Sequence, residues 1–240
     1  MVDLGRSHSS LVRMMQTDNH TTVACQVNSD IFSTDDSERL RMLREFNPYV
    51  CEAFFADRVL LVEGPTEVVA VRVLLEQINK ENNNSLSDLL VVDCGGKTTI
   101  PLFQRILCHF KIPYFVFHDL DNCSDVTNKL IWDEIEAARS QTVKAYRFTF
   151  NSEFETANGY KPPSADKPFT SHQQARKWLK SWSREETQKK PVVQYLREIL
   201  SGEVSEDHSQ EWLENQGFSH NGSVINITGD QLPLPGLFSC

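Results

Sequence analysis

Four carboxylates stand where apolar segments end, at a spacing that suits the binding of metal ions. Glu63 ends the segment VLLVE, and Glu67 follows it across a Gly-Pro turn. Asp119 and Asp121 close the segment FVFHDLD in a similar way. Carboxylates at this density repel one another unless cations neutralise them, and their hard oxygen atoms favour Mg²⁺ or Mn²⁺ over Zn²⁺. The four residues therefore predict a divalent-metal site.

A structural role is the alternative interpretation of these acids. Glu67 would then interact favourably with the dipole in the first turn of a helix, and Asp121 would cap a later helix. Neither Glu63 nor Asp119 has a capping role in that interpretation. The two structural roles therefore explain only Glu67 and Asp121.

Strands that alternate with helices are expected to position these side chains. Val71, Leu74, Leu75 and Ile78 form the apolar stripe of an amphipathic helix, and Pro65 suits the first turn of that helix. Segments rich in β-branched and aromatic residues predict strands at residues 59–62, 89–93, 114–118 and 143–150, and further helices are predicted at residues 101–111 and 128–139.

This alternation predicts an α/β fold built on a doubly wound parallel sheet. In such sheets the functional residues gather at the carboxyl ends of the strands. Glu63 follows the first of these strands, Asp93 ends the second, and Asp119 and Asp121 end the third. We therefore expect three strands to deliver carboxylates to one edge of the sheet.

The second half of the chain changes character. Residues 151–169 contain three prolines and predict a loop, whereas from about Thr170 the pattern is helical. The tail from Ser219 has no periodicity and predicts a poorly ordered end. Helices are predicted at residues 173–182, 192–200 and 210–215.

Composition and charge narrow the class of protein. With 40% hydrophobic and 24% charged residues, the 240-residue chain is typical of a globular protein, and it has no apolar run long enough to span a membrane. The absence of a secretory signal and the six scattered cysteines indicate reduced thiols and a cytoplasmic protein. A net charge of −9 argues against non-specific nucleic-acid binding through a broadly basic surface. It leaves a metal-dependent site open, because bound cations would supply the positive charge.

The order of these motifs resembles a known domain. A hydrophobic strand followed by Glu-Gly-x-x-Glu, and then a hydrophobic strand followed by Asp-x-Asp, is similar to the TOPRIM domain of topoisomerases, primases and certain nucleases. The segments FFADRVLLVEGPTE, VVDCGGKTTIPLFQRIL and KIPYFVFHDLDN more closely resemble the OLD (overcoming lysogenisation defect) family of ATP-dependent endonucleases. The likeness runs from about Arg39 to Trp182. It implies a TOPRIM-like sheet with a carboxy-terminal helical extension.

The resemblance also implies an activity and roles for individual residues. The activity is DNA cleavage with two Mg²⁺ or Mn²⁺ ions about 4 Å apart. The segment FNSEFETANGYKP resembles the part of the family that carries a further acidic ligand, which would be Glu155, with Glu153 as the alternative. The segment DKPFTSHQQARKWL resembles one in which a lysine assists catalysis, which points to Lys167.

Two further residues stand beside these motifs. Lys97 either contacts a phosphate or is a solvated lysine at a turn, and His118 is expected to pack. The implied metal ligands are Glu63, Glu67, Asp119, Asp121 and Glu155, and the implied catalytic residues are Glu63, Asp119 and Lys167.

The amino-terminal segment fits the same resemblance. GRSHSSLVRMM and the strand-like TTVACQV are similar to the Thr-His-Ser switch region that closes the ATPase domain of OLD proteins, so His8 is either a remnant of the switch histidine or an exposed histidine near a mobile terminus. The segment CGGKTT lacks the spacing of a phosphate-binding loop, because Val91 stands where the first glycine is needed. We therefore expect the nuclease half of an OLD-type protein, without ATPase activity of its own.

The resemblance implies a division of the chain and a set of partners. Residues 1–50 would be the end of an ATPase domain and a linker, 51–150 the TOPRIM domain, 151–218 the helical extension and 219–240 a disordered tail. DNA is the expected partner, no membrane is involved, and the resemblance leaves open a homodimer and an ATPase domain supplied in cis or in trans.

Two other functions remain open from the sequence. The segment YFVFHDLDN also resembles the start of a haloacid-dehalogenase-like phosphatase, but Cys123 replaces the usual threonine and the Glu-Gly-x-x-Glu motif is left unexplained. A TOPRIM fragment that is inactive or regulatory, and acts as an interaction module, is the second alternative.

Overall fold

The computed structural model describes residues 12–16, 20–26, 51–82, 89–120 and 125–204. All of them belong to one compact unit that spans Met1–Asp207. The predictions for His8, Asp121, the helix at residues 210–215 and the tail from Ser219 lie outside these ranges.

Two sheets form the β-structure of the described residues. In chain order the strands are β1 (Val12–Gln16), β2 (Thr22–Gln26), β3 (Arg58–Val62), β4 (Leu89–Asp93), β5 (Tyr114–Asp119) and β6 (Ala145–Phe150). β1 and β2 form an antiparallel pair, whereas the other four strands form a parallel sheet in the order β4-β3-β5-β6. The predicted strands and the parallel sheet are therefore confirmed. The antiparallel pairing of β1 with β2 was not predicted.

Helices follow the strands of the parallel sheet, as the alternating pattern predicts. Pro65 occupies the first position of the helix after β3, where its missing N–H is not needed. The helices are α1 (Pro65–Glu81), α2 (Ile100–His109), α3 (Asp125–Ser140), α4 (Phe154–Ala157), α5 (Lys167–Lys180), α6 (Glu185–Gln188) and α7 (Pro191–Ser201), with short 3₁₀ turns at Glu52–Phe54 and Lys97–Thr99.

The prediction of a loop over residues 151–169 is wrong at two places. The four-residue helix α4 lies inside it, and the Asn158 side chain donates to the carbonyl of Phe154 at 2.8 Å at its end. Helix α5 begins at Lys167, earlier than predicted, because the Asp166 carboxylate accepts from the N–H of Phe169 at 3.2 Å and so caps the first turn. Pro168 lies in that first turn, where proline is tolerated. The proline thus marks the start of a helix and not a loop.

Helices cover both faces of the parallel sheet. Successive side chains of a strand point to opposite faces, so Leu61 and Val116 pack under α2 and α3, whereas Leu60 and Phe117 pack under α1, α5 and α7. Two separate hydrophobic cores result, one on each face. The fold is therefore the doubly wound α/β sandwich that the sequence predicts.

The antiparallel pair of β1 and β2 is joined to this sandwich by Arg13. Its guanidinium donates to the carbonyl of Phe110 at 3.3 Å and to the carbonyl of Ala56 at 3.2 Å. Cys25 of β2 packs against the core that contains α2 and α3. None of the helices in the described ranges combines the length and the apolar character that crossing a bilayer requires.

Candidate functional site

The ends of β3 and β5 bring two of the predicted site residues into contact. These strands are hydrogen-bonded neighbours in the sheet. Glu63 follows β3, and its Oε1 accepts a hydrogen bond from the backbone N–H of Asp119 at 2.8 Å. The expectation that Glu63 and Asp119 share one edge of the sheet is therefore confirmed. Their chemical roles remain predictions.

Glu67 lies in the first turn of α1 and is almost fully buried, with 8% of its surface exposed. Its Oε2 accepts from the N–H of Gly64 at 3.0 Å, so Glu67 has the first-turn position of the structural alternative and also caps the start of the helix, which was not predicted for it. Burial raises the pKa of Glu67 to about 7, and the charges of Glu63 and Glu155 add to the rise while backbone hydrogen bonds oppose it. Glu67 thus caps a helix and also stands in a field of excess negative charge.

Burial distinguishes Glu155 from Glu153, the two candidates for the additional acidic ligand. The Glu155 side chain is 3% exposed and that of Glu153 is 36% exposed. Within the described ranges, Glu155 Oε1 has no hydrogen-bond partner, although the Lys167 ammonium lies 3.4 Å from it. The same ammonium lies 3.8 Å from Glu153 Oε2. Glu155 is therefore the member of the pair that lies inside the site.

Lys167, at the start of α5, is the cation beside these acids. Burial lowers its pKa, but the negative charges of Glu155, Glu153 and Asp119 raise the pKa by more, so that the net shift is upward. The lysine is therefore fully protonated near neutral pH. The structure brings Lys167 close to Glu155, as the sequence suggested for two residues of one site.

Tyr160 belongs to the same neighbourhood and was missed in the sequence. Burial raises its pKa to about 12; the hydrogen bond that its hydroxyl makes to Ser171 at 3.1 Å opposes the rise, and the charges of Glu155, Glu67 and Asp119 add to it. The Tyr160 hydroxyl therefore lies within electrostatic range of all three carboxylates. The sequence offered no signal for it beyond its place in the segment that carries Glu155.

The turn after β4 fastens a second lysine to the site. Gly95 and Gly96 have φ angles of 68° and 132°, which residues other than glycine rarely adopt. The N–H of Gly96 donates to the carbonyl of Glu63 at 2.7 Å. This turn leads to Lys97, whose ammonium donates to the carbonyl of Asp119. Asp93 accepts from the N–H of Gly95 at 2.8 Å and so stabilises the turn. Lys97 is therefore held at the site and is not simply a solvated lysine.

His118 is buried behind Asp119. Its Nδ1 lies 2.9 Å from the carbonyl oxygen of Asp119, which can only accept, so Nδ1 carries the proton and donates. Burial holds the pKa of His118 well below its usual range, and the nearby charges of Arg147 and Lys97 act in the same direction. The histidine is therefore neutral and packs against the strand end, as expected.

The acidic side chains at this edge can be matched to the ligands that a divalent cation requires. In the part of the chain that the structure describes, no group of three or more His, Cys, Asp or Glu side chains is spaced to hold a metal ion, and Asp121 lies outside that part. The side chains nevertheless suit such an ion. Glu155 has a buried carboxylate oxygen without a hydrogen bond, 3.4 Å from the Lys167 ammonium, and the charges of Glu63 and Glu155 add to the rise that burial causes in the pKa of Glu67. Hard carboxylate oxygens in this state fit Mg²⁺ or Mn²⁺.

Comparisons with known proteins match this part of the chain. Residues 54–121 match the family model described as overcoming lysogenization defect protein-like, TOPRIM domain. An OLD nuclease of Thermus scotoductus is 29% identical over 144 residues, which are 55% of this chain, and the chain spans only 27% of that relative's length. Among solved structures, the C-terminal region of the Burkholderia pseudomallei OLD protein gives a TM-score of 0.33 at 15% identity, covering 62% of this chain and 84% of that one.

Proposed function

We propose, from the premise that residues 54–121 form an OLD-like TOPRIM domain, that this chain is a divalent-metal-dependent DNA endonuclease. The observation that carries the proposal is the contact between Glu63 and Asp119 within that domain. It joins the two strand ends on which the Glu-Gly-x-x-Glu and Asp-x-Asp motifs stand. The buried carboxylates of Glu67 and Glu155 lie in the same electrostatic neighbourhood.

The carboxylates would hold the cations. Glu63, Glu67, Asp119 and Asp121 would be the central ligands, and Glu155 would help to hold a second ion. Two such ions, when bound, supply an activated water and stabilise the leaving oxygen of a phosphodiester. Because Glu67 has a pKa of about 7, it loses its proton readily near neutral pH once positive charge is close.

Two lysines would act on the phosphate. The Lys167 ammonium keeps its proton, because the neighbouring acids raise its pKa, so it can balance negative charge that develops in the transition state. It also holds the Glu155 carboxylate at 3.4 Å, which positions that ligand. Lys97 is anchored to the carbonyl of Asp119 and would contact a phosphate from the other side. No side-chain nucleophile is required.

The residues of this chain correspond to only part of the Thermus relative. The chain spans 27% of the length of its Thermus relative. The likeness of its amino-terminal segment to the end of an OLD ATPase domain suggests an ATPase domain that acts in cis or in trans.

Plasmid cleavage tests the proposal directly. The purified chain should nick or linearise supercoiled plasmid with Mg²⁺ or Mn²⁺ and should not do so with EDTA. Glu63→Gln and Asp119→Asn should each lower the rate by about two orders of magnitude or more, since each removes a charged group on which the transition state depends. Glu76→Gln, an identical chemical change at an exposed position of α1, is the matched control and should leave the rate unchanged.

Other outcomes would favour a different function. Cleavage by Glu63→Gln at the rate of the unaltered chain would contradict the metal-site assignment. Metal binding by calorimetry without any cleavage would identify an interaction module. A trapped covalent phosphoenzyme would point to a phosphatase of the haloacid-dehalogenase type.

A further inference from the structure

The solvent-facing side of α5 carries basic side chains with no acidic residue among them. Its buried side consists of Ser171, Ala175 and Trp178. The two sides follow from helical spacing, because residues three or four apart lie on the same side. After Lys167, the exposed residues of this helix are Phe169, His172, Gln173, Arg176, Lys177 and Lys180, which we call the basic face.

Positive charge is concentrated in this part of an acidic protein. Residues 161–190 contain eight Lys and Arg and three Asp and Glu, whereas the whole chain contains 24 and 33. The three acids are engaged elsewhere: Asp166 caps α5, Glu185 pairs with Lys189 at 2.6 Å, and the charge of Glu186 acts on Lys190. Within the described ranges, no carboxylate forms an ion pair with the three cations of the basic face, Arg176, Lys177 and Lys180. Their charge is therefore available to a partner.

The basic face starts at the carboxylate cluster. Lys167 opens α5 and lies 3.4 Å from Glu155, and one turn later Ser171 accepts from the hydroxyl of Tyr160. A helix of 14 residues is about 20 Å long. At about 3.4 Å per nucleotide along the axis, this length corresponds to roughly six nucleotides of one strand.

We propose that the basic face of α5 binds the phosphate backbone of the nucleic acid and leads the strand to the carboxylate cluster. The inference rests on the proposed function, since it assigns the surface that receives the same substrate. Phosphate contacts of this kind position a strand without reading its sequence. They also offset the repulsion between the substrate and a protein of net charge −9.

Phe169 gives the basic face a second kind of contact. It lies in the first turn of α5, two residues from Lys167, and 57% of its surface is exposed. An aromatic ring beside a row of cations is the combination that binds unpaired bases by stacking, because every base has a π-face. Phe169 would therefore stack on a base next to the scissile phosphate.

DNA binding measured in EDTA tests the basic face without any contribution from metal-dependent cleavage. The probe is a fluorescein-labelled 30-nucleotide DNA, used single-stranded and as a duplex, with anisotropy measured over a series of salt concentrations. The variant Arg176→Ala/Lys177→Ala/Lys180→Ala should raise Kd by about tenfold or more at low salt. Its slope of log Kd against log salt should fall by roughly two to three, since each lost phosphate contact removes about 0.9.

A matched control removes the same charge from another part of the chain. Lys111 and Lys144 precede β5 and β6, at the opposite edge of the sheet, and Lys129 lies on the exposed side of α3. The variant Lys111→Ala/Lys129→Ala/Lys144→Ala should change neither the slope nor the low-salt Kd by more than about twofold. Equal losses in the two triple variants would overturn the proposal, because they would show a general charge effect.

A further substitution tests the stacking contact. Phe169→Leu keeps an apolar side chain of similar size but removes the ring. It should weaken binding of the single strand several-fold and leave the duplex nearly unaffected. Unchanged single-strand binding would show that Phe169 does not stack on a base.

The results also distinguish this inference from the proposed function. Metal-dependent cleavage with unchanged KM and unchanged salt dependence in the α5 triple variant would overturn the inference alone. Loss of DNA binding in that variant, with no cleavage by the unaltered chain under any metal, would support the surface and contradict the endonuclease. Absence of DNA binding by the unaltered chain at low salt, or preferential capture of an acidic protein by this face, would overturn the inference.

Discussion

Charged side chains form opposite kinds of hydrogen bond at the two ends of the parallel strands, which we call the carboxyl edge and the amino edge of the sheet. At the carboxyl edge, carboxylates accept from backbone N–H groups, as Glu63 does from Asp119 and Glu67 does from Gly64. At the amino edge, cations donate to backbone carbonyls, as Arg58 does to Ile199 at 2.6 Å and Arg139 does to Ala145 at 2.9 Å. Both arrangements satisfy the ends of strands and helices.

The difference lies in how the charges at each edge interact with one another. At the amino edge Arg58 and Arg139 each donate to a backbone carbonyl, although the buried Arg58 Nε forms no hydrogen bond with the described residues. At the carboxyl edge burial raises the pKa of Glu67, the charges of Glu63 and Glu155 add to that rise, and one oxygen of Glu155 is buried without a hydrogen bond in the described part of the chain. An edge that keeps such charge at a cost in stability is expected to serve a ligand, whereas the other edge serves the fold.

The largest expected effect is on the rate of cleavage, and it should distinguish Glu155 from Glu153. Glu155→Gln should lower metal-dependent plasmid cleavage by about a hundredfold, because a buried ligand would lose its charge. Glu153→Gln is the control and should stay within about threefold of the unaltered chain, because this side chain is 36% exposed and its carboxylate lies farther from Lys167 than that of Glu155. Initial rates on supercoiled plasmid measure both. The reverse order would show that the ligand is Glu153.

The next effect concerns the pH dependence of stability at the carboxyl edge. In the metal-free protein the folded-state pKa of Glu67 is about 7, against an ordinary value of 4.5, so the folded state holds a proton that the unfolded state has lost between these pH values. The free energy of unfolding should therefore fall as pH rises from about 4.5 to about 7, by on the order of 3 kcal/mol from this group, and level off above.

Glu67→Gln tests that dependence. The amide can still accept from the N–H of Gly64 but does not titrate, so the variant should be more stable than the unaltered chain above pH 7 and show a flatter profile. Urea unfolding with EDTA at pH 5, 6, 7 and 8 measures it. A profile identical to that of the unaltered chain would mean that the pKa of Glu67 is not raised in the folded protein.

A smaller effect is expected at the amino edge. Arg58→Met should keep the apolar stem but remove the charged donor to the carbonyl of Ile199, at a cost of about 2 kcal/mol. Cleavage measured well below the melting temperature should be unchanged. A loss of activity without a loss of stability would contradict the inference that the amino edge serves the fold and the carboxyl edge serves a ligand.

The smallest effect sets the baseline for exposed charges. Lys129 and Asp133 form an exposed ion pair on α3, with Nζ and Oδ2 2.7 Å apart. Lys129→Ala should change the free energy of unfolding by no more than about 0.5 kcal/mol and leave its pH profile as it was. Thermal unfolding at two salt concentrations measures this change. A cost above about 1 kcal/mol would contradict the prediction, because an exposed charge would then matter nearly as much as the charges at the two edges.

Much of the fold was predictable because its signals are local. A short apolar run in the sequence predicts a strand that is buried on both faces. The apolar stripe after Pro65 predicts a helix in the same local way. The resemblance to an OLD-type TOPRIM domain, carried by the motifs at Glu63 and Asp119, is confirmed for residues 54–121. The start of α5 was missed because the prolines before it were interpreted as loop residues, although Pro168 is compatible with a first helical turn.

The sequence by itself determined which residue types stand at the strand ends, because alternation, turn residues and motif spacing are properties of neighbouring positions. It predicted that Glu63 and Asp119 lie together, since parallel strands end at the same edge of a sheet. Only the tertiary structure decided that Glu155 is buried and Glu153 is not, that Tyr160 lies among the acids, and that Lys97 is held by Asp119. Burial and charge interactions depend on how α4, α5 and the turn after β4 pack over the sheet, and contacts between residues so distant in sequence leave no local pattern.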